Sequence, residues 1–227
     1  MIRASSFFSD QERKNISEAV AEAERRTAGE IVPVVTTSSG DYDRSEDIVG
    51  LWFAAITLAC LWWLRLPQAG PGEWERPVVG VSWVGLLITI GAMVAAFIVG
   101  AALASHVGWL RRLFTFRSQM QREVQRSALR AFFEHGLRET EERTGILIYL
   151  SLFERMVHVT GDRAVAERLA DDDWREVRDL ILNGIKKGNP GEGMVAAIKR
   201  CGDVLEKHFP PRPDDKNELP NELCIMD

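Results

Sequence analysis

The feature that most constrains this chain is the disappearance of charge over two stretches. "IVGLWFAAITLACLWWL", Ile48 to Leu64, and "PVVGVSWVGLLITIGAMVAAFIVGAALAS", Pro77 to Ser105, contain no Asp, Glu, Lys or Arg, although such residues make up 27% of the whole. As a helix rising 1.5 Å per residue, the first stretch reaches roughly 25 Å, a little short of the roughly 30 Å hydrocarbon core of a bilayer. Trp62 and Trp63 at its end suit the headgroup level and Arg65 can extend toward water, so the flanks complete the span. The second stretch is long enough to cross with tilt. Buried core helices of a soluble protein fit the first length but not the second. The sequence therefore predicts a two-helix transmembrane hairpin over 46–106.

The flanks give the hairpin a direction. Arg111, Arg112, Arg117, Arg122 and Arg126 follow the second span, whereas the connection "RLPQAGPGEWERP" holds Arg65 and Arg76 offset by Glu73 and Glu75. The positive-inside rule places the C-terminal part in the cytoplasm, and two crossings return the N-terminal part to the same side. The opening "MIRASSFFSDQERKN" lacks the apolar run of a secretory signal. A net charge of -5 argues against a nucleic-acid partner, so the arginines read as an orientation signal that can also touch anionic lipid. Neither span carries an ionisable residue of the kind that marks channels, proton relays and transporters. Gly91, Ala95, Gly100 and Ala104 read as one small-residue face of the second span, for packing on the first span, a second copy or a larger complex. Cys60, Cys201 and Cys224 have neither CxxC nor metal-ligand spacing and are expected as free thiols.

The soluble parts share a phrase. "ERRTAGEIVPVV" and "EERTGILIYL" each run from a charged helix end through a glycine into an apolar run. Ser9 and Glu12 have capping-box spacing before Ile16, Ala19, Val20 and Ala23, which predicts a helix over 9–27. Gly29 is expected to end it in a left-handed conformation, and Pro33 within "EIVPVVT" implies an edge strand or a bulge. Met120, Val124, Ala128 and Phe132 predict a second helix over 117–135, broken by Gly136. "ILIYLSL" and "MVHVT" then predict an antiparallel hairpin, although no Asn-Gly turn joins them. Asp173 with Glu176, and Asn189 with Pro190 and Glu192, mark two further helix starts. The tail "PPRPDDKNELPNELCIMD" reads as an extended, partly ordered segment rather than a packed element.

About 40 residues of helix and strand cannot bury enough surface to fold alone, and the part after Arg117 can use them. The expected fold is α/β, a small mixed β-sheet flanked by helices and interrupted by the transmembrane hairpin. Its domain halves lie at 1–45 and 107–210, with the tail at 211–227. The strands after Gly29 and Gly145 are expected in one sheet.

Four segments carry a family resemblance: "RRTAGEIVPVV", "ERTGILIYLSLFERMVHVTGD", "DDDW" before a helix, and "HFPPRPDDKNELPNEL". In this order the chain resembles the TPM domain family, in its short bacterial branch with an inserted transmembrane pair. The resemblance implies an α/β sandwich. It also implies two functional themes: acid phosphatase activity with divalent-metal binding in some plastid relatives, and assembly or maintenance of membrane complexes.

Asp162 in "TGDR" stands where a strand end meets a helix start, a position at which α/β folds place ligands, but also that of a helix N-cap. Asp171, Asp172 and Asp173 offer oxygen ligands or a helix start favoured by the dipole. Asp162, Asp172 and Asp173 are therefore the metal candidates, for calcium or magnesium. Glu30 faces either a site or water. Arg26 and Arg143, paired in the repeated phrase, read as neutralising helix C-termini. "GNPGEG" reads as an interhelical turn before phosphate binding. His106, His135, His158 and His208 show no ligand spacing, and GxSxG, P-loop, HExxH and cysteine-phosphatase signatures do not occur. Two readings follow. One is a non-catalytic binding or maintenance module at the bacterial inner membrane, with both termini cytoplasmic, partnered by the lipid bilayer and by another membrane protein or a second copy. The other is a metal-dependent acid phosphatase.

Overall fold

A computed structural model describes residues 3–65, 83–107, 112–140, 142–211 and 217–227. The connection between the charge-free stretches lies outside the described residues beyond Arg65, as do Arg76 and Arg111. Among the described residues the elements are a 3-10 turn (Ala4–Ser6), α1 (Asp10–Glu24), β1 (Ile31–Thr36), α2 (Asp43–Arg65), α3 (Trp83–His106), α4 (Arg117–Glu134), β2 (Ile146–Ser151), β3 (Met156–Gly161), α5 (Arg163–Ala166), α6 (Asp171–Lys187), α7 (Pro190–His208) and β4 (Cys224–Met226). The chain divides into two compact units, 1–40 with 117–227, and 41–116.

The first unit is built on a four-stranded mixed sheet in the order β3-β2-β1-β4. β1 and β2 are parallel neighbours from Ile31 opposite Ile146 to Thr36 opposite Ser151. β3 returns antiparallel from β2, and β4 lies parallel on the far side of β1. The two strands of the repeated phrase thus do lie side by side. Both are buried on both faces, which is why they read as continuous Val/Ile/Leu runs rather than alternating ones. Ile31, Val35, Ile146, Ile148 and Leu150 face a core shared with Ile16 and Val20 of α1, Ile181 of α6, and Ile198 and Leu205 of α7. Val32, Val34, Leu147 and Tyr149 face Val124, Ala128 and Phe132 of α4. α4 packs on that side, with Met120, Val124, Ala128 and Phe132 buried as their four-residue period requires.

Three local expectations are corrected. β1 is a central strand, not an edge. The carbonyls of Glu30 and Thr36 accept from Ile146 and Leu152, so by the two-residue alternation Pro33 turns its nitrogen away from β2. That side is β4's, whose register begins only at Val34, so no ladder donor is lost. Gly29 and Gly145 do not adopt positive φ; Arg143, at φ 54, is the left-handed residue of the second phrase. What the two glycines provide is closeness: a Cβ on Gly145 would lie 2.9 Å from the Leu137 carbonyl oxygen, and one on Gly29 2.9 Å from Leu205 Cδ1 and 3.2 Å from the Thr144 carbonyl oxygen. The tail, finally, is not merely extended, since Cys224–Met226 joins the sheet.

The helix starts are as physical chemistry demands, with one shift. Ser9 and Glu12 form a reciprocal capping box. α6 begins a turn before the Asp173/Glu176 spacing implies: Asp173 Oδ2 accepts from the Ala170 N–H at 3.2 Å, while Glu176 is taken by Arg200 at 2.7 Å. Pro190 opens α7 at the position where a missing N–H costs nothing. Gly136 has φ 71 and stops α4. In the β2-β3 turn, Arg155 supplies the left-handed residue at φ 54, in place of the absent Asn-Gly pair.

The second unit holds α2 and α3, which contain, among the described residues, two helical stretches long and apolar enough to cross a membrane, Glu46–Leu64 and Trp83–His106. They pack where side chains are smallest: a Cβ on Gly50 would be 2.8 Å from the Phe97 ring, and one on Gly100 would be 2.9 Å from Phe53 and 3.1 Å from the Gly50 Cα. The small residues of α3 do not share one face. Nine residues at 100° each amount to half a turn, so Gly91 and Ala95 are exposed opposite Gly100 and Ala104. Cys60 is exposed on α2, and all three cysteines are free.

Candidate functional site

Two polar clusters sit at opposite ends of the parallel pair β1/β2. At the carboxyl ends, Glu154 in the β2-β3 turn is 1% exposed and accepts from the Ser39 N–H at 2.9 Å and the Ser151 hydroxyl. Ser39 Oγ donates to Ser151 Oγ at 2.9 Å and lies 3.2 Å from the Tyr149 hydroxyl; Ser127 of α4 donates to the Ser39 carbonyl at 2.7 Å. Burial, ahead of its hydroxyl partners, pushes the Tyr149 phenol up. Open α/β sheets place ligands at this end. Here the hydroxyls are shut from solvent and the carboxylate is held by them, so the cluster locks the loop over 37–40 onto the sheet and α4. Glu154→Ala should strand the Ser39 N–H and cost about 2 kcal/mol, whereas Glu154→Gln keeps an acceptor and costs less. Denaturant midpoints of the full chain in detergent check this, and equal midpoints for wild type and Glu154→Ala would refute it.

At the amino ends, Glu24 closes α1 and Glu30 precedes β1. Glu24 Oε1 accepts from the Ile31 N–H at 3.0 Å, and Glu30 Oε1 from the Glu218 N–H of the tail at 3.1 Å. The Oε2 atoms of both are buried without a protein donor. Two carboxylates in mutual hydrogen-bond contact need one proton between them. Burial first, and the Glu30 charge next, push Glu24 up to about 8 against the downward pull of the Ile31 N–H. Burial raises Glu30 as well, while the Glu218 N–H and Glu24 pull it down. Glu30 therefore faces neither open water nor an open cleft, but a partner acid beneath the tail.

The metal candidates are distributed differently. Because β3 runs antiparallel, Asp162 ends beside Gly145, at the amino ends of β1 and β2, its N–H donating to the Gly145 carbonyl at 2.8 Å. It is the N-cap of α5, with Oδ1 2.6 Å from the Arg163 nitrogen; Oδ2 is buried without a hydrogen-bond partner. Asp172 pairs with Arg175 at 3.0 Å, and Asp173 with Arg200 at 2.9 Å, tying α6 to α7. Among the described residues no three His, Cys, Asp or Glu side chains gather in a way that could hold a metal ion. Trp174 packs against the core over Gly161, where a Cβ would stand 3.0 Å from the indole. His158 is half-buried, its imidazole pushed down by burial alone.

The sequence passed over Glu24 and Glu154. Glu24 looked like an ordinary helix-end charge, and nothing at Glu154 announced that a hairpin turn would bury it. The doubled phrase did carry a usable sign. Thr144 of one copy donates to the Ala28 carbonyl of the other at 2.8 Å, and Thr27 to the Phe209 carbonyl at 2.7 Å. Arg26 leaves α1 to pair with Asp203 at 3.1 Å and Glu206 at 2.9 Å on α7.

Comparison with known proteins agrees with this architecture. A sequence model of the TPM domain matches residues 102–204. The match runs from α3 through most of α7 and omits α1 and β1, which fold with that part but are separated from it by the intervening α2 and α3. The solved NMR structure of BA42 protein from the psychrophilic bacterium Bizionia argentinensis is similar over 99% of this chain and 99% of its own, with TM-score 0.55 and 20% identity. No curated protein matches the sequence. Residues 102–204 thus match the TPM domain, and the parallel pair extended by an antiparallel β3, with helices on both faces, is the fold in which that stretch is set.

Proposed function

We propose that this is an integral membrane protein of the bacterial inner membrane, with both termini cytoplasmic, whose TPM domain is a non-catalytic binding or maintenance module for a membrane partner. The observation that carries this reading is the apolar surface of α2 and α3. Trp62 and Trp63 are 70% and 75% exposed, Trp83 is 80% exposed, and Leu51, Ile56, Leu87, Ile88 and Ile98 stand out along the same helices. Water would not tolerate so much contiguous apolar surface, and lipid would cover it. The non-catalytic part is supported by the occupation of the acids: Asp172 and Asp173 are in ion pairs, and Glu154 is enclosed by serines.

A metal-dependent phosphatase is the second reading, favoured by one observation, the unpartnered buried Oδ2 of Asp162. In that chemistry a divalent ion would polarise the phosphoester oxygen. The protein should stay in the membrane pellet through alkaline carbonate extraction and show no phosphoester hydrolysis above buffer with Mg²⁺, Ca²⁺ or Mn²⁺. Extraction into the supernatant would overturn the membrane assignment. Metal-dependent turnover abolished by Asp162→Asn would replace the binding module with the phosphatase.

A further inference from the structure

The outer face of α4 combines positive charge with exposed apolar side chains. The residues it turns away from the sheet are Arg117, Ser118, Gln121, Arg122, Gln125, Arg126, Leu129, Arg130, Phe133 and Glu134, all exposed. Four are arginines and one is acidic, in a chain whose net charge is -5. Leu129 and Phe133, one turn apart, are 56% and 49% exposed, and the Arg138 guanidinium lies 5.6 Å over the Phe133 ring. Arg126 is drawn toward an acid of its own helix, Glu123 at 3.3 Å, and remains 72% exposed.

The opposite layer has the reverse sign. Between α1 and α7 a groove of about 660 Å³ is lined by Glu12, Glu18, Glu22 and Glu192, with Lys199 as its cation. The sheet separates a basic, partly apolar face from an acidic one. An anionic surface would attract the first and repel the second, so charge alone would orient the unit. Arginine with Leu and Phe is the composition of helices that lie in a membrane interface, where the apolar side chains enter between headgroups and the guanidinium groups pair with phosphates. Ten residues separate the end of α3 at His106 from Arg117, a tether of at most about 35 Å.

We propose that the outer face of α4, through Arg122, Arg126, Arg130, Leu129 and Phe133, docks on anionic phospholipid headgroups. The docked face fixes which side of the TPM unit meets the bilayer and leaves the acidic α1/α7 groove turned away from it. This inference rests on the membrane assignment above, and adds a second, charge-dependent attachment to the apolar one.

The test uses the full chain in proteoliposomes, with Gln125→Cys carrying an environment-sensitive fluorophore in a Cys60→Ser, Cys224→Ser background. The emission should shift to the blue and brighten when phosphatidylglycerol is added to phosphatidylcholine, and the change should shrink in high salt. Arg122→Glu with Arg126→Glu should lower the docked-to-undocked ratio about tenfold or more. Arg122→Gln with Arg126→Gln should lower it less, and Lys14→Glu on the opposite layer should leave it unchanged. Equal emission in neutral and anionic vesicles, or indifference to the double charge reversal, overturns lipid docking while carbonate-resistant insertion stands. A shift seen only in native membranes, not in protein-free anionic vesicles, assigns the face to a protein partner and likewise overturns it. Loss of carbonate resistance sinks the membrane assignment, and the inference with it.

Discussion

Gly184→Ala should cost about 3 kcal/mol, at the upper end of overpacking penalties, although alanine inside a helix normally gains about 1 kcal/mol over glycine. Gly184 lies on α6 one turn before the Gly188–Asn189 turn that sends the chain into α7. A Cβ there would stand 2.5 Å from the Gly193 Cα and 2.9 Å from both the Asn189 oxygen and the Gly193 nitrogen. All three are backbone atoms, so no side chain can swing aside; the helices must part. The reciprocal site is as tight, a Cβ on Gly193 meeting the Gly184 Cα at 2.9 Å. Parting them loosens the contacts of Ile181 and Ile198 with the main core. The apparent Tm in detergent should fall by roughly 10 °C. Gly188 supplies the control. Its φ of 82 caps α6 in the left-handed region with nothing within 4 Å of a Cβ, so Gly188→Ala meets strain but no clash and should cost about 1 kcal/mol. If the two variants unfold at the same temperature, the close helix crossing is not what holds α6 on α7.

These glycines show what the sequence could and could not convey. Patterns that report burial were legible. The Met120/Val124/Ala128/Phe132 period and the apolar runs after Gly29 and Gly145 became the buried elements they implied, because burial is imposed residue by residue along the chain, and the described parts of the charge-free stretches lie in helices long and apolar enough to cross a membrane. Conditions set by a second segment were not legible. Gly29 and Gly145 look like helix-ending glycines, yet Leu205 and Leu137 are the reasons they are glycines, and both lie elsewhere in the chain. β4 was hidden for the same reason: "CIM" follows a stretch of prolines and charges and becomes a strand only because β1 offers it an edge. Asp162 illustrates the limit at the site. A strand end before a helix start was visible, but whether that end lies at the carboxyl or the amino edge of the sheet depends on β3 running antiparallel, which the turn residues did not announce.

Glu24→Gln should remove most of a pH dependence that the wild-type fold carries between about pH 4.5 and 8. Unfolded, Glu24 has the ordinary carboxyl value of 4.5; folded, burial and the Glu30 charge hold its proton up to about 8. Between those values the folded state binds more protons than the unfolded one, so stability falls as pH rises. The contribution is fully present below 4.5 and is lost as pH passes through the folded value. Wild type should lose about 3 kcal/mol across that window, less than the full 1.36 kcal/mol per unit because the exposed edge of Glu24 is screened. A glutamine reproduces both bonds of the protonated acid, its oxygen accepting from the Ile31 N–H and its amide donating to Glu30, without a proton to lose. The variant and wild type should therefore be equally stable near pH 4.5, and the variant more stable by about 3 kcal/mol near pH 8. Denaturant midpoints across that range decide it, with parallel curves counting against a shared proton. The comparison also reaches the tail. Glu30 holds the Glu218 N–H ahead of β4, so ionising Glu24 sets a second negative charge beside the anchor of the strand that completes the sheet.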